Sequence, residues 1–84
     1  DFFDETFRVI DVVPSESRPD QGVIVCTSDK GNFNCGMKFS HFDRKVILAM
    51  KHEYIGEMAE VRFFEYTDGG IPRFPVCVGF RLDK

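Results

Sequence analysis

The stretch Asn32-Phe33-Asn34-Cys35-Gly36-Met37-Lys38-Phe39-Ser40-His41-Phe42-Asp43-Arg44-Lys45-Val46-Ile47-Leu48-Ala49-Met50 changes period at its centre. Before Lys38 the residues alternate. Phe33 and Cys35 fall on one side and Asn32 and Asn34 on the other, the pattern of a strand with one buried face. After Phe39 the apolar positions Phe42, Val46, Ile47, Ala49 and Met50 recur at helical spacing, which makes 40–52 an amphipathic helix. Ser40 has the side chain of an N-cap, and Asp43 suits the positive end of the helix dipole. Gly56 then breaks the pattern.

Upstream, 7–13 is rich in Val and Ile and reads as a first strand. The polar segment 14–21, with Pro14, Ser15, Ser17, Pro19 and Asp20, reads as a loop, and 22–28 as a second strand. Asp29-Lys30-Gly31 is a hairpin turn into the third strand, 32–37. Downstream, 60–66 is a fourth strand, Asp68-Gly69-Gly70 a turn, and 76–82 a fifth strand. Three strands, a helix and two strands is the element order of the OB-fold. The predicted fold is therefore all-β, a five-stranded, partly open Greek-key barrel with one α-helix between strands three and four. A small SH3-like barrel is the alternative, and it needs no full helix there. The barrel domain is expected over 6–84, preceded by an acidic linker or hinge over 1–5.

With 43% hydrophobic residues and ten Phe among 84 residues, the chain can build one compact core. That size argues against a self-sufficient enzyme with several substrates. No stretch approaches the roughly 18 apolar residues of a membrane span, so no membrane partner is expected. The chain has no initiator Met and opens in what reads as a linker, which suggests a piece of a longer protein. Three cysteines, Cys26, Cys35 and Cys77, with no Cys-x-x-Cys spacing, point to reduced core thiols and a reducing, intracellular compartment. A Cys26–Cys35 bridge across the hairpin is the geometric alternative. His41 and His52 lie at opposite ends of the helix and do not form a metal pair.

Charge is uneven. Residues 1–20 carry two basic against six acidic groups, and residues 21–84 carry nine basic against eight acidic, for a net charge of −3. Affinity for nucleic acid comes largely from neutralised phosphates, so this domain should not bind DNA tightly by itself. The final segment, Arg73-Phe74-Pro75-Val76-Cys77-Val78-Gly79-Phe80-Arg81-Leu82-Asp83-Lys84, concentrates the cations. Strict alternation sends Val76, Val78, Phe80 and Leu82 into the barrel, and Cys77, Gly79, Arg81 and Asp83 outward. Arg81 then stands beside small neighbours, with Arg73 before the strand and Lys84 just past it. Arg offers a planar fork to phosphate oxygens and Lys a compact charge.

This segment resembles motif VI of the covalent nucleotidyltransferases, and the chain as a whole resembles the end of ATP-dependent DNA ligases of the compact viral and phage type. The matching stretches are Tyr54-Ile55-Gly56, Val61-Arg62-Phe63-Phe64-Glu65, Arg73-Phe74-Pro75-Val76, and Gly79-Phe80-Arg81 with Asp83-Lys84. Phe7-Arg8-Val9-Ile10-Asp11-Val12 is similar to the family's first barrel strand, and Gly36-Met37-Lys38-Phe39 to the segment entering its helix. The resemblance implies an OB domain that follows a nucleotidyltransferase domain. In that family a Lys attacks the α-phosphate of ATP, and the AMP passes to the 5′-phosphate of nicked duplex DNA before sealing. The Lys-x-Asp-Gly motif of the catalytic domain is absent from this chain, so the chain cannot seal a nick alone.

On this resemblance Arg81 and Lys84 would hold the β- and γ-phosphates, with Asp83 positioning them, while Arg73 would serve the triphosphate or stabilise the barrel. Asp1 to Glu5 would be the hinge about which the domain swings. Lys30, Asn32, Asn34 and Lys38 would meet the phosphate and sugar of nicked DNA. ATP and Mg²⁺ would be held mainly by the nucleotidyltransferase domain. Three other readings compete. One is the OB domain of an mRNA capping enzyme. Another is a stand-alone module that stacks single-stranded bases on aromatics such as Phe7, Phe33, Phe63, Phe64, Tyr66 and Phe80. The third is a structural or protein-interaction domain.

Overall fold

In the computed structural model, which describes residues 2–81, the chain is a closed five-stranded barrel plugged by a helix. The barrel strands are β1 (Phe3–Pro14), β2 (Gly22–Ser28), β3 (Gly31–Met37), β4 (Met58–Phe63) and β7 (Val76–Arg81). Between the last two lies a separate two-stranded ribbon of β5 (Glu65–Tyr66) and β6 (Pro72–Arg73). Two helices, α1 (His41–Ala49) and α2 (Lys51–Tyr54), connect β3 to β4. The strand order is β1-β2-β3-β7-β4, closing back on β1, and only β3 and β7 run parallel. This is the OB-fold predicted from the element order, with the barrel closed where a partly open one was expected.

β1 closes the barrel by serving two partners. Phe3 to Arg8 pair with Phe63 to Met58 of β4, and Arg8 to Pro14 pair with Thr27 to Gly22 of β2. The changeover coincides with a bulge at Ile10, between the Val9–Cys26 and Asp11–Val25 pairs. A bulge adds twist and bends the strand, which lets one strand turn a barrel corner. It also shifts the inward series by one, from Phe7 and Val9 to Val12, leaving Ile10 exposed.

Phe3, Asp4 and Glu5, expected in a linker, are therefore strand residues. Their cross-strand partners Phe63, Arg62 and Val61 explain why, since Phe3 stacks on Phe63 at 5.8 Å and Asp4 pairs with Arg62 at 2.9 Å. Similarly, the fourth strand is broken at Phe64, where the chain leaves the barrel for the β5–β6 ribbon.

The core is built from the inner faces of all five strands. Phe33, Cys35 and Met37 of β3 are buried, as the alternation predicts, together with Ile24 and Cys26 of β2 and Ala59, Val61 and Phe63 of β4. The β2–β3 turn is two residues long, Asp29-Lys30, and is followed by Gly31 at φ +138°, which a residue with a Cβ rarely adopts. Cys26, Cys35 and Cys77 are all free and fully buried, so the bridge considered for the hairpin does not form. Burial pushes the Cys77 thiol up to about 12.

Ser40 caps α1 as predicted, its hydroxyl accepting the Asp43 amide at 3.1 Å. The apolar face of the helix is narrower than its spacing suggested. Ile47 is buried and Leu48 packs on the core, but Phe42 is 72% exposed and Met50 is exposed. The helix approaches β2 at Gly22, where a Cβ would lie 3.2 Å from Leu48 Cβ and 3.0 Å from Val12 Cγ1. Met50 ends α1, and the helix restarts as a single turn that Lys51 ties to Asp11 at 3.1 Å.

Phe63 is fully buried and stacks with Phe3, Phe7 and Tyr66. Phe63→Ala is expected to destabilise the barrel by about 3–5 kcal/mol through lost burial and a residual cavity, measured by urea unfolding.

Candidate functional site

The outward-facing residues of β7 differ from simple alternation. Val61 pairs with Cys77 but Glu60 pairs with Gly79, so Val78 is an extra residue opposite no partner. Cys77 consequently points into the barrel and is fully buried, while Val76 and Val78 are only partly buried. After the bulge the phase is restored. Phe80 packs inward against Tyr54 at 4.8 Å and Phe39 at 5.9 Å, and Arg81 emerges on the outer face. The bulge thus exchanges Cys77 for the two valines yet leaves Arg81 where the sequence put it.

Arg81 does not stand alone. Its Nε donates to Glu60 Oε2 at 3.1 Å, with the side chain 62% exposed. Beside it, Arg62 donates through Nε to Asp4 Oδ1 at 2.9 Å and through Nη2 to Oδ2 at 3.5 Å. Asp4, Glu5, Thr6, Glu60, Arg62, Val78 and Arg81 line one shallow depression over β1, β4 and β7. Arg73 lies elsewhere, on the ribbon, where it pairs with Glu65 at 3.0 Å, its cross-strand neighbour. Asp83 and Lys84, assigned with Arg81 to phosphate, lie outside the described residues.

Lys30, Asn32, Asn34 and Lys38 are all exposed along β3 and its two ends. Asn32 and Asn34 lie on the outer face opposite Thr27 and Val25. Lys30 is supported from below: a Cβ at Gly70 would come 2.7 Å from Lys30 Cγ, so the lysine stem lies across the turn of the ribbon. Lys38 sits at the β3–β7 seam, its amide donating to the Cys77 carbonyl at 2.9 Å. The four residues form one row, separate from Arg73 and ending where β3 meets the strand that carries Arg81.

Sequence reasoning missed what surrounds that row. An open groove of about 540 Å³ runs between β1 and the β2–β3 tip, lined by Glu5, Arg8, Thr27, Lys30 and Tyr66 among others. Across it the Tyr66 hydroxyl donates to Glu5 Oε2 at 2.6 Å. Of the six aromatics weighed as stacking platforms, Phe7, Phe33 and Phe63 are buried and Phe80 is half-buried. Phe64 and Tyr66 are exposed, and Phe64 is joined by exposed Phe2 at 6.0 Å. Phe74, which no alternation marks, is 74% exposed and holds φ +55°. A bulky residue in the left-handed region costs on the order of 1–3 kcal/mol. Its only cue in the sequence is its place between Arg73 and Pro75.

A family model described as the DNA ligase OB-like domain matches residues 21–81. Among solved structures, Chlorella virus DNA ligase-adenylate is 26% identical, with a TM-score of 0.78 over 99% of this chain and 32% of that one. A second crystal structure of Chlorella virus DNA ligase-adenylate is 27% identical with a TM-score of 0.74, covering 95% of this chain and 30% of that one. A Lig E DNA ligase, described as binding DNA with a minimal scaffold, shares the fold at 21% identity and a TM-score of 0.74, over 96% of this chain and 31% of that one. The chain spans about a third of the length of each of these ligases. A search of curated proteins finds no match.

The Tyr66–Glu5 bond raises the phenol from its ordinary 10.0 to about 12, because the neighbouring carboxylate favours the protonated hydroxyl. A pKa raised in the folded state contributes stability that is fully present below pH 10.0 and is lost as pH rises toward about 12. A phenolate absorbance titration in a Tyr54→Phe background is expected to report this high value. Glu5→Gln should bring it back toward the ordinary one.

Proposed function

The chain belongs to the DNA ligase OB-like domain family, and on that premise we propose that it is the OB domain of an ATP-dependent DNA ligase, serving two stages of nick sealing. The observation that carries this reading is the family match over 21–81 together with a projecting Arg81 at the end of β7.

In the first stage the domain stands over ATP bound in a nucleotidyltransferase domain. Attack on the α-phosphate expels pyrophosphate, whose oxygens gain negative charge as the bond breaks. Fixed cations stabilise that charge most where they are already oriented. Arg81 and Lys84 supply them, with Asp83 helping to position the pair. Arg73, held to Glu65 on the ribbon, serves the ribbon's shape in this reading unless the triphosphate displaces that carboxylate. Among the described residues no group of three or more His, Cys, Asp or Glu converges as a metal ligand set. In this reading ATP and Mg²⁺ are held mainly by the nucleotidyltransferase domain.

In the second stage the domain turns its β3 row to nicked duplex DNA. Lys30 and Lys38 neutralise phosphates, and Asn32 and Asn34 donate to phosphate and sugar oxygens. Contacts of that kind carry no sequence information, which suits an enzyme that must accept any nick. The net charge of −3 is compatible with this role because the chain would act beside a second domain and not alone.

Two measurements on the full-length ligase test the reading. Arg81→Ala or Lys84→Ala should slow formation of the lysyl-AMP adduct by roughly a hundredfold, the loss typical of one preorganised charge-stabilising donor. Sealing of a nick that already carries AMP should be affected much less, and equal loss in both steps would reject the clamp. Lys30→Ala with Lys38→Ala should weaken binding to nicked duplex and lower its salt dependence by about two counterions, leaving adduct formation intact. Unchanged DNA affinity would remove the β3 row from the interface.

A further inference from the structure

We infer that Glu60 is a positioning residue for Arg81: it fixes the guanidinium by its Nε and leaves the two terminal nitrogens to a phosphate. The inference rests on the clamp reading of Arg81 and extends it to a residue outside the terminal motif.

The geometry separates the two arginines on this face. Arg62 is held by Asp4 through both Nε and Nη2, so the carboxylate takes the edge of the fork. Arg81 donates to Glu60 through Nε alone. A guanidinium carries five N–H donors in a fixed plane. Among the described residues that single bond at Nε sets the direction of the plane, and the four donors on Nη1 and Nη2 remain for two phosphate oxygens. With a free side chain, that orientation would have to be ordered at the moment of reaction, at an entropic cost.

The backbone is arranged for this contact. Glu60 is opposite Gly79 and Arg81 is opposite Met58, so the carboxylate must reach across the Gly79 position to meet Arg81. A Cβ on residue 79 would lie 3.2 Å from Glu60 Oε1. The space that Gly79 leaves is thus filled by the Glu60 carboxylate and does not open the strand to a foreign surface. The Val78 bulge immediately before it brings Gly79, and not Val78, into line with Glu60. Both side chains of the pair remain exposed, so the contact is individually weak.

The test is adduct formation by the full-length ligase as a function of ATP concentration, with Glu60→Ala, Glu60→Gln, Arg81→Ala and the Glu60→Ala/Arg81→Ala double variant. Glu60→Ala should slow adduct formation by about three- to fivefold, the range open to one exposed ion pair. The loss should appear chiefly as a raised KM for ATP. Glu60→Gln keeps an oxygen acceptor for Nε and should recover most of it. The double variant should be no slower than Arg81→Ala, and sealing of a pre-adenylated nick should be unchanged by the Glu60 variants. Normal or faster adduct formation by Glu60→Ala, or additive loss in the double variant, would overturn the role of Glu60 while Arg81→Ala stays impaired. Normal adduct formation by Arg81→Ala would instead overturn the clamp, and the role of Glu60 with it.

Discussion

Closure of the barrel depends on one strand having two neighbours. β1 pairs with β4 along its first half and with β2 along its second, and a bend between the two lets the sheet curl closed. The bulge at Ile10 provides the bend, and the core follows from it. Phe7 and Val9 before the bulge and Val12 after it all face inward, although strict alternation would have turned Val12 out. The helix seals the end of the closed barrel because Gly22 lets it approach β2. The outer face over β1, β4 and β7 exists only because the first half of β1 stays paired to β4 as far as Phe3.

The element order was legible in the sequence because each element carries its own local signal. Alternation in Asn32 to Met37 and the Ser40 cap identified the strand-to-helix switch, and both appear where they were read. What was not legible depends on register between distant strands. Nothing in Val76-Cys77-Val78-Gly79 announces that Val78 has no partner across β4, so the inward face was assigned to the valines and the burial of Cys77 was missed. The same holds for Phe42, whose spacing is helical but whose side chain is exposed. The strand pairing of Phe3, Asp4 and Glu5 was missed for a related reason: the segment looks like a solvated acidic start until Arg62 and Phe63 are known to lie opposite.

The candidate site divides along the same line. Residue types and exposure at Lys30, Asn32, Asn34, Lys38 and Arg81 could be read from one strand at a time. Their partners could not. Glu60 for Arg81, Glu65 for Arg73, Gly70 beneath Lys30 and Glu5 for Tyr66 are all cross-strand or cross-loop relations. Lys45, Lys51, Arg62, Arg73 and Arg81 are each matched to a carboxylate at rest. A surface of exposed, individually weak pairs costs little to rearrange.

The three fully buried thiols have a further consequence. Cys26, Cys35 and Cys77 give the interior no covalent cross-link, so the barrel is held by noncovalent contacts: strand ladders, packing and surface pairs. Sulfur is also the most oxidisable atom in that space. A sulfinic or sulfonic group adds oxygen atoms and charge where the lining is apolar and close-packed. Chemistry at a single atom in the centre of the barrel would then be felt by every strand. Protection of those thiols comes from the integrity of the strands around them, so oxidative damage and loss of fold would advance together.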